Sequence, residues 1–543
     1  MAAAPTVNDP VPGPADLVGP GTGLSLRPGA PTGSPGRARG PRAPWWLVAP
    51  SVVAAVVAVL PIWYLIARTG SVTRLLEVLA TPATVALTLR SVALAATVTV
   101  LAVVIGVAAA WLVARTDLPG ARAWQVAMVL PLAIPSYISA FVWLDIAPGL
   151  AGFPGAVLVL TLTTFPYVFL PAVAALRRID PAQEEVAASL GMGRWQVARR
   201  VTIPQIRTSV AAGALLVALY VLSDFGAVAL MRYEVFTWVI YGAYRSGFDP
   251  TRAAVLSILL VLLALVLVAA EARVRGRVRT RTGSGVARVG RVVHLRRATV
   301  PASAFLAGVI LLGVGVPLLA ISAWLLEGLG AQADLGQFAP ALVATVELSA
   351  LAAVACLALA VPVGVLAARH PGRLSAALER TTYIGHALPG IVVAIAMVYV
   401  GVRLLRPVYQ ERPLLVLAYV VLFLPLAVAT VRASVEHSPV ASEEVARSLG
   451  LDRWATLRRV TLPLAAPGLA AGAAMVFLTT MKELPATLLL HPTGTETLAT
   501  MLWRFMLVSD YSSAAPYAAL IVLGAALPAV LLARVGRRAQ ADA

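Results

Sequence analysis

Apolar runs of about 20 residues, long enough to cross the hydrocarbon core of a bilayer, alternate with short polar stretches along this 543-residue chain. Trp45–Ala67, Ala253–Ala270 and Ser513–Ala533 are the clearest of them. The pattern predicts twelve spans, at 45–67, 84–114, 124–145, 154–176, 208–229, 251–270, 301–325, 341–368, 382–402, 414–431, 465–488 and 513–533. The expected fold is therefore an all-α polytopic membrane protein. An even number of spans puts both termini on one side.

The polar stretches between spans are unequal, and two of them are near copies. Residues 184–204 read EEVAASLGMGRWQVARRVTIP, and residues 443–463 read EEVARSLGLDRWATLRRVTLP. Other features repeat at a similar distance: Gly106 answers Gly364, Pro135 answers Pro389 near the start of an interrupted helix, and the Asp224–Gly226 triplet answers Lys482–Leu484. The chain thus reads as two parallel six-span halves, 45–270 and 301–534. A basic linker, 271–300, joins them. Two halves of one orientation imply a pseudo-two-fold axis along the membrane normal, with a pathway between the halves.

Each copied stretch predicts a short helix, a glycine corner and a second short helix. In the first, Asp180 caps the helix, Pro181 takes its first position and Gln183 is placed to complete a capping box. Gly191 stops it in a left-handed C-cap. In the second, Ser438 and Pro439 play the opening roles, Gly450 is the stop, and Asp452 caps the following helix. Pro204 and Pro463 mark the approach to the next span. Glu185, Arg194, Arg199 and Arg200, with Glu444, Arg453, Arg458 and Arg459, offer charge-assisted hydrogen bonds. Trp195 and Trp454 offer aromatic anchors of the kind found at interface hot spots. Lipid binding alone accounts for Trp and Arg on an amphipathic loop. It does not require one Glu–Gly–Pro spacing twice, so the pair predicts two equivalent docking sites for a soluble partner.

Charge changes this picture little. The net charge is +18, carried by 42 arginines and Lys482. On the predicted topology 32 arginines fall on one side, 8 on the other, and Arg90 and Arg252 lie within spans. That bias marks the first side as cytoplasmic, and it removes nucleic acid as the explanation of the charge. Residues 1–44, rich in Pro, Gly and Ala, are expected to be a disordered cytoplasmic tail, and 535–543 a second tail. Cys356 alone permits no intramolecular disulfide. His294, His370, His386, His437 and His491 show no metal-ligand spacing. No paired carboxylates or nucleophile elbow point to catalysis, so neither a catalytic nor a metal site is expected.

The two loops resemble the EAA loop of ABC importer permeases, in Glu185-Val186-Ala187, Gly191 and Val201-Thr202-Ile203-Pro204 and again in Glu444-Val445-Ala446, Gly450 and Val460-Thr461-Leu462-Pro463. Val stands for the first Ala and for the usual Ile in both copies, and Ile203 for a Leu in the first. The resemblance covers the chain from the second span onward. It implies that each loop is a coupling helix seated in a cleft of an ATP-binding subunit. Two such subunits, closing on ATP, would switch the pathway between inward- and outward-facing states. The sequence holds no G-x-x-x-x-G-K-[ST] loop, so ATP and Mg belong to the partner, and this chain is expected to bind no cofactor. A substrate-binding protein on the outer side of a bacterial plasma membrane is implied as well.

Two further segments, Asp224-Phe225-Gly226 and Met481–Leu490 with its sequel through Thr500, resemble the fused ferric-iron permeases. Permeases for thiamine and phosphonates are relatives of similar length. Asp224, Lys482 and Glu483 are ionisable residues inside spans, which is costly and by default suggests function. They are the candidates for the translocation pathway, against the plainer reading of an Asp224–Lys482 ion pair. Arg90 and Glu347, each early in its span, are expected to form a structural pair. An ion-coupled secondary transporter is the remote alternative for the whole chain.

Overall fold

The computed structural model describes residues 43–69, 72–245, 250–275, 292–328 and 335–541. Apart from Ala43 and Pro44 the expected N-terminal tail lies outside the described residues, as do 276–291 of the linker. Among the described residues nine helices are long and apolar enough to cross a membrane, and eleven if each of two bent pairs counts as one span. The last expected span lies in the helix Tyr511–Ala541, which runs through most of the expected C-terminal tail instead of stopping near 533.

The two bent pairs are the interrupted helices expected at Pro135 and Pro389. In the first half, Ala121–Ala133 and Ser136–Ile146 meet at 89°. In the second, Arg373–Gly385 and Gly390–Arg403 meet at 101°. Proline has no N–H to donate and pushes the residue before it out of the helical region. Ile134 and Leu388 accordingly sit extended, at φ −94° and −95°.

Tight packing between spans relies on small residues, as membrane helices commonly do. A Cβ on Gly106 would lie 2.9 Å from the Cβ of Val168 and 3.0 Å from the carbonyl of Phe165. One on Gly364 would lie 2.6 Å from Val431 and 3.0 Å from the Arg432 nitrogen. The two glycines do the same work but are not equivalent positions. Arg115 and Arg369 end corresponding helices, and counting back from them pairs Gly106 with Ala360 and Gly364 with Ala110. Each half places its close approach one helical turn from the other's.

The first span of each half lies against the other half. Trp45–Thr69 packs its Tyr64 ring 4.8 Å from Tyr399, with Trp63 against the same ring. In return Trp324, from Val316–Gly328, packs 5.3 Å from Phe141 and donates its indole N–H to Asp145 at 2.9 Å.

The surface ion pairs differ from expectation. Arg90 meets Glu234 at 2.6 Å, and Glu347 meets Arg412. Each is satisfied within its own half, by Glu234 just before Phe236–Arg245 and by Arg412 at the start of the span Arg412–His437, so Arg90 and Glu347 do not pair. Both pairs are about half exposed and contribute little to stability.

The end of the linker is fixed. Val293 forms a parallel bridge with Thr116, and the Leu295 N–H donates to Asp117 at 2.8 Å. That N–H, with His294 at 2.9 Å, holds the Asp117 carboxyl below its ordinary range.

Candidate functional site: the paired loops and the broken helices

Both loops have the same construction. Pro181–Ser189 and Val440–Ser448 are short helices. Each ends in a Schellman corner: the Gly191 N–H donates to Ala188 and the Met192 N–H to Ala187, as Gly450 does to Arg447 and Leu451 to Ala446. Gly191 (φ +83°) and Gly450 (φ +89°) are left-handed, as their type predicts. Nothing lies within 4 Å of where a side chain on either would begin.

The caps are only partly as expected. Asp180 accepts from the Ala182 N–H at 3.0 Å and Asp452 from the Ala455 N–H at 2.7 Å. Gln183 completes no capping box, because its carbonyl accepts instead from Gln205 at 3.0 Å. Ser438 does not cap its helix either. Its hydroxyl is buried without a partner, and the helix starts after Pro439.

Beyond each corner a helix runs on through a single π turn, Ala198–Thr202 or Leu457–Thr461, into the next span. The second helix of each loop is therefore not the separate short one expected, but the start of that span. Pro204 and Pro463 sit just past the π turn, where the hydrogen-bond ladder is already out of register and a missing N–H costs little.

Glu185 and Glu444 are exposed, with Arg199, Arg458, Trp195 and Trp454. Apolar side chains that the motif did not single out join them: Val186 (59% exposed) and Leu190 (73%) match Val445 (58%) and Leu449 (77%). Two large apolar groups on a polar loop are the composition of a contact surface. The copies differ in one respect. Trp454 meets Trp46 of the first span edge-on at 5.2 Å.

The glutamates just before Glu185 and Glu444 point inward, which the sequence reading missed. Glu184 takes two hydrogen bonds from Arg115, at 3.0 and 3.3 Å, and one from Thr202 at 2.7 Å. Glu443 takes one from Arg369 at 2.8 Å and one from Thr461 at 3.0 Å, while Arg369 also donates to the Ser438 carbonyl at 2.9 Å. The signal was present. An arginine ends each second span of a half, and the second glutamate of each EE pair could not face the same way as the first on a helix.

The pathway candidates lie at helix breaks. Asp224 follows the helix Ile203–Ser223 and accepts from the Ala227 N–H at 3.0 Å, from the Val228 N–H and from the Ser136 hydroxyl. Glu483 does the same after Leu462–Met481, accepting from the Ala486 and Thr487 N–H groups at 2.9 and 3.0 Å. The true counterparts are therefore Asp224 and Glu483, at the offset of the two copied loops. The sequence comparison had aligned Asp224 with Lys482.

There is no Asp224–Lys482 ion pair. Lys482 reaches the Leu132 carbonyl at 3.4 Å, and its own carbonyl takes the Tyr137 hydroxyl at 3.4 Å. Lys482 therefore ties the second half to the broken helix of the first. Asp224 is buried, whereas Lys482 and Glu483 are partly accessible. Glu483 also lines a small cavity with Thr345, Ser349, Tyr419, Thr480 and Thr487.

Two like halves, paired broken helices at their junction and paired exposed loops define a multi-pass membrane transport permease. The chain matches the family described as "binding-protein-dependent transport system inner membrane component" twice, over residues 102–280 and 360–540, and it belongs to that family. It is similar to the Fe(3+)-transport system permease protein FbpB 2 of Haemophilus influenzae, with 34% identity over 90% of this chain and 98% of that one. Shorter similarities run to the sulfate transport system permease protein CysW of Synechocystis (35%, over 15% of this chain and 30% of the relative). The molybdenum transport system permease protein ModB of Escherichia coli is 31% identical over 22% of this chain and 56% of its own.

Proposed function

We propose that this chain is the fused transmembrane subunit of an ATP-driven importer of ferric iron. The reading of the cargo is carried by the similarity to a Fe(3+) permease across nearly the full length of both chains; the sulfate and molybdenum relatives match only parts. The coupling rests on the duplicated loop. Two copies of one ATPase subunit, holding ATP and Mg, dock on Glu185, Gly191, Trp195, Arg199 and Pro204 and on Glu444, Gly450, Trp454, Arg458 and Pro463. A binding protein delivers cargo at the opposite face. Both termini, the linker and the loops are cytoplasmic, in keeping with the arginine bias. The chain itself carries no catalytic step.

Cargo passes between the halves near the helix breaks at Asp224, Lys482 and Glu483. Carboxylate oxygens suit a hard trivalent cation, and their engagement with backbone N–H groups keeps binding weak enough for release. Accessibility favours Glu483 over the closed-off Asp224. Proteoliposomes holding the permease, its ATPase and the binding protein are expected to take up labelled iron in preference to labelled thiamine or phosphonate. Glu483→Gln should lower iron uptake more than Asp224→Asn, since the amides retain a capping oxygen and remove the charge. Preferential thiamine uptake would overturn the cargo. Equal uptake by both variants and the wild type would return the two carboxylates to a capping role only.

A further inference from the structure

We infer that the two buried Arg–Glu–Thr joints, Arg115–Glu184–Thr202 and Arg369–Glu443–Thr461, are the links through which movement of the coupling loops is passed to the membrane spans. This rests on the reading that the loops receive the ATPase.

Each joint gathers three separate elements. The arginine is the last residue of the helix Pro82–Arg115 or Leu335–Arg369. The glutamate belongs to the first short helix of the loop. The threonine sits in the π turn at the root of the next span. Among the described residues of each loop, Glu184 or Glu443 is the one buried charged side chain, with side-chain exposures of 10% and 9%. The other charged side chains whose exposure is described in the loops, among them Glu185, Arg199, Glu444 and Arg458, face solvent. A load applied to the exposed face therefore reaches the spans by two kinds of route: the helix that runs on through the π turn into the next span, and, for the preceding span, this contact with the apolar footing beside it, Ala187 or Ala446.

Energetics favour such a joint staying closed while the loop moves. Removing one partner of a buried ion pair strands a desolvated charge, which is far costlier than parting an exposed pair. The arginine, glutamate and threonine thus move together. The π turn also has a reason on this view. Its one extra residue brings Thr202 or Thr461 round to the carboxylate while the helix continues into the span.

The joints are alike but not identical. Arg115 grips Glu184 with both terminal nitrogens, whereas Arg369 shares its donors between Glu443 and the Ser438 carbonyl at the loop's entry. The second joint holds the loop at two points, the first at one.

The test uses the full chain with its ATPase and binding protein in proteoliposomes, and reads cargo imported per ATP hydrolysed. Glu184→Gln with Glu443→Gln keeps the side-chain shape and removes both charges. The expected result is co-purification of the ATPase at the wild-type ratio, with cargo per ATP falling about tenfold, within the range over which residues between two sites alter their coupling. Thr202→Val with Thr461→Val, which leaves both ion pairs intact, should give a smaller fall in the same ratio. Exchanging the charges in both halves (Arg115→Glu with Glu184→Arg, Arg369→Glu with Glu443→Arg) should restore part of it. If the glutamine variant does not fold, the threonine pair and the exchange carry the test. An unchanged cargo-to-ATP ratio in the variants that fold would overturn the inference. So would loss of ATPase binding in the glutamine variant, because the joints would then shape the docking surface instead of transmitting from it. Failure of the unaltered chain to bind an ATPase would overturn the docking reading itself.

Discussion

Gly191→Asp combined with Gly450→Asp is expected to abolish co-purification of the ATPase while leaving the permease folded in the membrane. Both glycines are left-handed, at φ +83° and +89°. Aspartate enters that region more readily than most residues, and the backbone cost is about 1–2 kcal/mol per site. Beyond the adjoining residues, no atom of this chain lies within 4 Å of where the new side chains would begin. They project beside Leu190 and Leu449, into the surface that the partner would cover. An unpaired charge desolvated at an interface typically costs 2–5 kcal/mol, and it is imposed here at both docking sites. Pull-down of the ATPase, with size-exclusion of the permease as the folding control, reads the outcome. Undiminished binding with a monodisperse permease would sink the docking surface. Either single variant should retain partial binding through the other loop.

The largest loss of stability is expected from filling the close helix crossings. Gly106→Val and Gly364→Val would force side chains into space already held by Val168 and the Phe165 carbonyl, and by Val431 and the Arg432 nitrogen. Backbone atoms are among the obstacles, so rotamer changes alone cannot relieve the overlap. Overpacking of this kind costs typically 1–3 kcal/mol per site. The two sites lie in different halves, so the effects should add. Thermal unfolding in detergent, followed by loss of the monodisperse peak, should show each single variant below the wild type and the double variant lowest. Gly308→Val, at a helical glycine with no neighbour within 4 Å, serves as the control. Equal thermal stability of all the variants would refute the crossing.

The spans and the glycine corners of the loops were legible in the sequence because their signals are local. Apolar length predicts a crossing, and Gly191 or Gly450 after a short polar helix predicts a left-handed stop. The breaks at Pro135 and Pro389 were legible for the same reason, since proline acts on its own backbone and that of the residue before it. What could not be read depends on distant partners. Arg90 is served by Glu234 and Glu347 by Arg412, and no periodicity says so. Glu184 escaped notice although it stands next to Glu185. Facing in or out is settled by Arg115, which lies 69 positions away. Offset arithmetic was almost sufficient for the helix breaks, where a one-residue slip paired Asp224 with Lys482 instead of Glu483. Shared capping geometry, not residue type alone, decides that equivalence.

The crossing of each first helix onto the opposite half bears on how the protein is made. The partner ring of Tyr64 is Tyr399, which lies 399 − 64 = 335 residues later in the chain. At roughly 5–20 residues per second of synthesis, the first helix waits on the order of tens of seconds for the surface it will cover. During that interval its aromatic face must be kept by lipid or by an insertion chaperone. The first helix therefore cannot complete its packing as it emerges, and it closes on the second half only after Tyr399 has been made.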